Sequence, residues 1–461
     1  MSVFGNDTWW IVLLKVVFVV VFLLAITIFN VWYERRLVGK MQHRKGPIMN
    51  GPLGLGQALA DGLKLMFKED FRPAGTDKWI FTIAPLLTGV AAFTGWAVIP
   101  LAGEVPLWGG YTTRLQLTDM PVAVLFILAI ASIGIYGIVL AGWASTSTYS
   151  LLGGIRSTAQ MISYEIAMGL ALVAVFLTSG SMSTIDIVNA QATEFGGPAW
   201  VSWLHIPQWY ALLLIPSCIV YLIAMVAETN RAPFDLVECE QELVSGFLTD
   251  YSGFRYAIYF LAEYINMATV SAVATTLFFG GYRAPWPVPL IIQANPAALS
   301  WLDSGWMGLF WFTAKLLIFI GMFVWLRGTL PRFRYDQFMD LGWKILIPLS
   351  IGWIVLVSFV RVAQAQNWLT SSAALVGVGV VLVFLLVYLA WDWWRGGDAE
   401  ELSETSRTPL YETGEYDPFE GGYPVPPMPG QVLPELVGVL RSSSTESAAP
   451  ESQTEPERED A

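Results

Sequence analysis

Histidine and cysteine are nearly missing from this chain, with two of each among 461 residues: His43, His205, Cys218 and Cys239. Haem and zinc sites draw on convergent His or Cys ligands. These four residues form no CxxC and no metal-ligand spacing, so the chain is expected to hold no metal, haem or other redox centre of its own. Charge is scarce as well: 13% of residues are charged, where a soluble domain carries roughly 25%. No internal repeat of the kind that builds inverted-repeat transporters is visible. The net charge of -12 suggests an acidic surface, but its position along the chain removes that reading. Up to Arg395 there are 22 acidic and 22 basic residues; beyond it, 15 acidic residues face only Arg407, Arg441 and Arg458. The body is neutral overall and carries no basic footprint for nucleic acid.

What the chain does have is apolar length. Hydrophobic residues make up 55% of it, and 21 tryptophans suit interfacial belts. A bilayer span takes ~20 apolar residues, and nine segments qualify or nearly do: 9–33, 79–102, 120–143, 160–179, 207–227, 256–280, 305–327, 344–362 and 372–394. The expected fold is therefore an all-α integral membrane protein. Its polytopic domain covers 1–395, followed by an acidic, Pro-rich tail over 396–461 that has too little apolar surface to order itself. The run from Trp9 to Trp32 exceeds a signal's apolar core and ends in Glu34, Arg35 and Arg36 without a cleavage site, so it is expected to stay as the first span. With the N-terminus outside, 16 loop Lys and Arg fall on the inner side and only Arg114, Arg283 and Arg361 on the outer. An odd number of spans then makes the tail cytoplasmic.

The first inward loop, residues 34–78, is rich in turn formers: Gly46, Pro47, Gly51, Pro52, Gly54 and Gly56. After these turns, Gln57 to Phe67 places Leu59, Leu63, Met66 and Phe67 on one helical face with Asp61, Lys64 and Lys68 opposite. That pattern suits a helix lying in the interface, while a plain connector carrying positive-inside charge is an equal reading of the pattern alone. The loop lacks GxxxxGK[ST] and GxGxxG, which excludes a nucleotide cradle.

Carboxylates within or at the edge of the bilayer point to function. Glu165, Glu228 and Glu263 each interrupt apolar sequence, at a cost of roughly 2.5 to 3.5 kcal/mol apiece at a span's centre. One such acid is ordinarily a satisfied partner of a neighbouring helix, here through Lys315. Three acids and a lysine favour a proton or ion path. Asp235, Glu238, Glu240 and Glu242 follow in the inward loop at 228–255, and Asp250 lies further along it. Glu238 and Glu242 stand one helical turn apart, where like charges repel by roughly 0.2 to 0.5 kcal/mol. A solvated acidic loop is the plain reading of these four. Partly buried, they would share protons and titrate as a coupled set.

The strings AETNRAPFDL and ELVSGF, the loop ER…G…MQ.RKGP…ADG.KL..KE, the segment SYE, the LAEY holding Glu263, and PRFRYDQ resemble the family of quinone-site membrane subunits of respiratory complex I, the bacterial NADH-quinone oxidoreductases. The resemblance spans residues 9–362, with His43, Asp70, Cys239 and Asp250 as local departures. It implies a proton-translocating NADH:quinone oxidoreductase in which this chain forms the quinone tunnel and the first part of the proton path. Quinone is then the substrate, FMN and iron-sulfur clusters reside in partner subunits, and an iron-sulfur subunit lies next to the quinone site. The isolated chain would be inactive. It further implies quinone-binding roles for Arg36, Gln42, His43, Arg44 and Asp61, and a proton path through Glu165, Glu228, Asp235, Glu238, Glu240, Glu242, Asp250, Glu263 and Lys315. The long tail is similar to actinobacterial members, which points to menaquinone. The same subunit type also occurs in membrane-bound hydrogenases and other-donor dehydrogenases, and a stand-alone proton or cation transporter is a third reading.

Overall fold

The computed structural model of the chain divides into two units, Met1–Trp368 and Leu369–Ala461. It describes residues 7–107, 110–192, 207–235, 244–294 and 300–366, all in the first unit. The segment 372–394 and the tail lie outside the described residues, as do Glu238, Glu240 and Glu242.

Helix α1 (Trp9–Met41) is followed by a turn-rich stretch and α2 (Gln57–Phe67), then α3 (Lys78–Thr94). A two-stranded antiparallel hairpin, β1 (Ala102–Pro106) and β2 (Thr112–Leu115), leads to α4 (Ala123–Ala144), α5 (Thr148–Ser179) and the short α6 (Thr184–Ala190). Next come α7 (Ile215–Glu228), α8 (Gly253–Phe278), α9 (Met307–Thr329), α10 (Tyr335–Asp340) and α11 (Ile347–Ala365), with a π-helical stretch Leu341–Leu346 joining the last two. Seven helices among the described residues are long and apolar enough to cross a membrane. The all-helical membrane architecture is as expected; among the described residues seven of the nine expected spans are such helices, the fifth is shorter, and the ninth, 372–394, lies outside them.

The differences have local causes. Pro216 cannot continue a helix from the preceding turn, so the expected span at 207–227 breaks at Leu214 and restarts as a helix of 14 residues. The fourth span begins earlier than expected because Ser150, Gly153, Gly154 and Ser157 extend its buried face. The eighth starts at Tyr335, where the Gln337 side chain accepts from the Arg334 N–H (3.2 Å), and the Tyr164 hydroxyl donates to the Phe338 carbonyl (2.7 Å) just ahead of the widened π turn. The hairpin was not expected. Val105, Thr113 and Leu115 are buried while Glu104 and Pro106 face outward, and Glu104 pairs with Arg114 across the strands (3.5 Å).

At the centre lies α8, every residue of which from Met267 to Phe278 is buried. Its small residues let neighbours approach closely. Its hydroxyls do not go unpaired in an apolar surrounding, because Thr269, Ser271, Thr275 and Thr276 each donate to the carbonyl one turn back. The helix ends under Lys315 of α9, whose ammonium donates to the carbonyls of Phe279, Gly281 and Arg283 at 2.7, 2.9 and 2.7 Å. Phe279 caps the helix and the other two carbonyls belong to the turn beyond it, and the ammonium complements the helix dipole. In α1 the buried face runs Ile11, Lys15, Val19, Leu23, Asn30, Glu34, while Leu13, Val17 and Val21 remain exposed for lipid or a partner. Lys15 is paired with Asp7 at 2.6 Å.

The turn before α8 packs on α5 backbone to backbone. A Cβ at Gly153 would stand 2.5 Å from the Gly246 Cα. Gly153→Ala should therefore force the two apart and destabilise the subunit by about 1–3 kcal/mol. The check is the thermal transition of the purified assembly, which should fall; an unchanged transition would show that the two backbones have room to give.

Candidate functional site

The end of α1 faces two ways. Glu34 is buried and points inward, while Arg35 and Arg36 hold the loop. Arg35 pairs with Asp61 of α2 at 2.5 Å, and Asp61 also accepts from Gln57 at 3.0 Å. Arg36 donates to the Leu53 carbonyl (2.8 Å), as does the Trp32 indole (3.0 Å), and the Arg36 guanidinium lies 5.4 Å from the Trp32 ring centre. Gly54, at φ 77°, brings this turn against the Pro47 carbonyl, 2.3 Å from where a Cβ would sit. Only glycine fits that geometry. The result positions α2 with Leu59, Leu63, Met66 and Phe67 outward and exposed, as the sequence pattern predicts. Gln42 and Arg44 bond to one another (2.7 Å) in the turn that closes α1, and His43 sits between them at φ 54°. Gln42 lies about 9 Å beyond Arg36 along the helix, and the chain then folds back, the Arg44 N–H donating to the Gly39 carbonyl at 2.8 Å.

On the inner side, Glu34 accepts from the Tyr264 hydroxyl (2.7 Å), from Arg327 of α9, and faces Arg231 at 3.5 Å. Arg231 in turn meets Glu263 of α8 at 3.0 Å and lies over the Tyr264 ring at 4.4 Å. It is 4% exposed. A buried guanidinium is tolerable only with such partners, and α1 and α8 converge to supply them. Sequence reasoning assigned none of Glu34, Arg231, Arg327 or Tyr264 to the site. The available signal was Glu34's register, since it continues the four-residue repeat of the buried α1 face.

The stretch 227–235 that carries Arg231 is clasped by α5. Gln160 donates to the carbonyls of both Ala227 (2.7 Å) and Phe234 (2.9 Å), and Asn230, at φ 50°, donates to Ser157 (3.0 Å). Phe234 packs among Tyr164, Phe333 and Phe338. Asp235 pairs with Arg332 at 3.3 Å.

Beyond Glu263 opens a cavity of about 100 Å³ between α3, α4, α5, α7 and α8. Glu228 and Glu263 line it with Asn230, Asn266 and Tyr221. Glu228 is 2% exposed, and its Oε2 has no hydrogen-bond partner among the described residues. Glu165 accepts from Ser132 of α4 and lies near enough for its charge to act on Glu228. Three of the predicted acids thus come together. Asp250 lies in the turn before α8, next to Tyr251, whose ring stacks on Phe81 at 4.1 Å. Burial pushes the Tyr251 phenol up to about 12, so it stays neutral at ordinary pH. Lys315 does not join the acids: it caps the far end of α8, and the rise from Glu263 to Phe279 is about 24 Å. Among the described residues no three His, Cys, Asp or Glu side chains converge to hold a metal.

Comparison with known proteins bears on this arrangement. A family model described as NADH dehydrogenase matches residues 14–358. The chain belongs to the NADH dehydrogenase family. It is 55% identical over 440 residues to the H subunit of the NADH-quinone oxidoreductase of Cutibacterium acnes, covering 95% of this chain and 96% of that one. It is 48% identical over 439 residues to the protein of the same name from Streptomyces avermitilis, covering 95% and 91%. Matches of that length pass beyond residue 395, so they include part of the acidic C-terminal sequence.

Arg231→Met should leave Glu34 and Glu263 facing each other's surroundings without their shared cation, at a cost on the order of 3–5 kcal/mol. The amount of assembled subunit and its thermal transition should both drop. Arg231→Lys keeps the charge but not the planar fork and should fall between. Wild-type stability in the Met variant would mean that the network does not organise the fold.

Proposed function

We propose that the chain serves as the quinone-site membrane subunit of a proton-translocating NADH-quinone oxidoreductase, with menaquinone as substrate. Quinone enters from the lipid beside α2, and Arg36 and Asp61 line its route. The observation that carries this reading is the continuity from α2 to the cavity. Residues 35 and 36 hold the lipophilic loop, Glu34 reaches Arg231, and Arg231 reaches Glu263 at the cavity wall. A change of charge at the loop is therefore felt by a carboxylate two ion pairs away.

In this reading electrons arrive from an iron-sulfur cluster in a neighbouring peripheral subunit, and protons must reach the quinone in equal number. Glu228 and Glu263 hold protons on the cavity side, with Glu165 behind Glu228. Asp235, Glu238, Glu240, Glu242 and Asp250 extend the acidic series through the inward loop. The lysine and arginine distribution puts the N-terminus outside and the tail in the cytoplasm. The relatives' names favour NADH as the donor over a hydrogenase-type assembly, and identification of the co-purifying subunits decides between them.

Glu228→Gln and Glu263→Gln remove a titrating group while keeping its size. Quinone reduction and proton pumping, each normalised to intact complex, should fall together by on the order of tenfold or more, while reduction of an artificial acceptor by the peripheral arm stays normal. Normal rates per assembled enzyme in both variants would leave the acids a purely structural role. Independently, a photoreactive quinone analogue should label residues 34–73; labelling confined to the hairpin or to 280–306 would contradict the entry route.

A further inference from the structure

We propose that the cavity between α3, α4, α5 and α8 is a binding site for a lipophilic ammonium ion: an alkylamine whose head meets Glu228 and Glu263 and whose apolar body lies along α8. The cavity is polar at one end only. Glu228, Glu263 and Asn266 line that end, whereas Val124, Ile127 and Leu172 belong to the other. From Glu263 to Val273, both of which line it, the helix rises about 15 Å, room for a chain rather than a single ion.

The head group follows from the acceptors. Glu228 is buried with an oxygen that no described group satisfies, and a buried acceptor left unmade is costly. A neutral alkylamine can take the proton that Glu228 holds; the ionised carboxylate then offers only acceptor positions and the ammonium only donors, so the pair formed is complementary. A neutral apolar molecule would fill the walls and leave that oxygen unmade, and an anion would be repelled. Calcium and magnesium take six or more oxygen ligands, which apolar walls do not offer. The site uses the same cavity as the proposed proton route, but binding is read without turnover, so the two ideas fail separately.

The test uses the intact complex in lipid nanodiscs and a dodecylamine carrying a diazirine on its chain, beside the matching dodecanol. The amine should crosslink in a saturable way to Ile127, Ala131 and Gly134, the cavity-lining side of α4, about tenfold more than the alcohol. Glu228→Gln should abolish that preference, and Ala131→Trp should remove labelling by both probes. Equal labelling by amine and alcohol would overturn the proposal, as would a preference untouched by Glu228→Gln or crosslinks only at the exposed Leu125, Ile133 and Tyr136. Should the Gln variant fail to assemble, saturable amine labelling that survives Ala131→Trp would overturn it equally.

Discussion

A guanidinium buried inside a membrane body must be matched on each side, and much of the described structure is arranged around that demand at Arg231. Its carboxylate partners come from the end of α1 and the first half of α8, and an aromatic ring of α8 covers its face. Meeting those partners brings α1 against α8, and Arg327 draws α9 to the same point through Glu34. The loop that bears Arg231 could not hold it there unaided, so α5 clasps that loop at both ends through Gln160. Once Glu34 faces inward, helical geometry turns Arg35 and Arg36 toward α2. One ion pair therefore sets the orientation of the lipophilic loop as well as the packing of the core.

Other charges in the membrane body are satisfied in ways that leave little chemistry available. Lys315 gives all three donors to main-chain carbonyls, and Lys15 is held by Asp7, which also accepts from Thr113 of the hairpin. Arg361 donates to the Thr178 carbonyl. These are fixed partners at the hairpin end of the bundle. Glu228 differs: it is at least as deeply buried, yet one of its oxygens faces a cavity rather than a donor. The contrast between filled and unfilled valences separates structural charge from charge that can change state.

Much of this was legible from local pattern. Apolar length located the helices, and the 3.6-residue repeat found α2 with its exposed lipophilic face. The energetic cost of Glu165, Glu228 and Glu263 in apolar sequence singled them out before any geometry was known. What stayed hidden depended on distance along the chain. Glu34 stands beside Arg35 and Arg36 in sequence and looks like the ordinary end of a span; its partners come from residues 231, 264 and 327. The hairpin escaped because its alternation, only four or five residues per strand, is brief beside the long apolar runs that flank it. Lys315 was grouped with the acids because both are rare in spans, but rarity does not report which end of a helix a side chain serves.

Gln160 and Glu165 lie on the same helix, a little over one turn apart. Because one amide of Gln160 grips the chain at Ala227 and again at Phe234, the segment between them is closed into a loop mounted on α5. Any displacement of α5 that keeps those bonds carries Arg231 with it, and Glu165 moves in the same stroke. The cation that organises the Glu34 network and the acid behind Glu228 then share one rigid mount, so mechanical and electrostatic changes at the two places are not independent events.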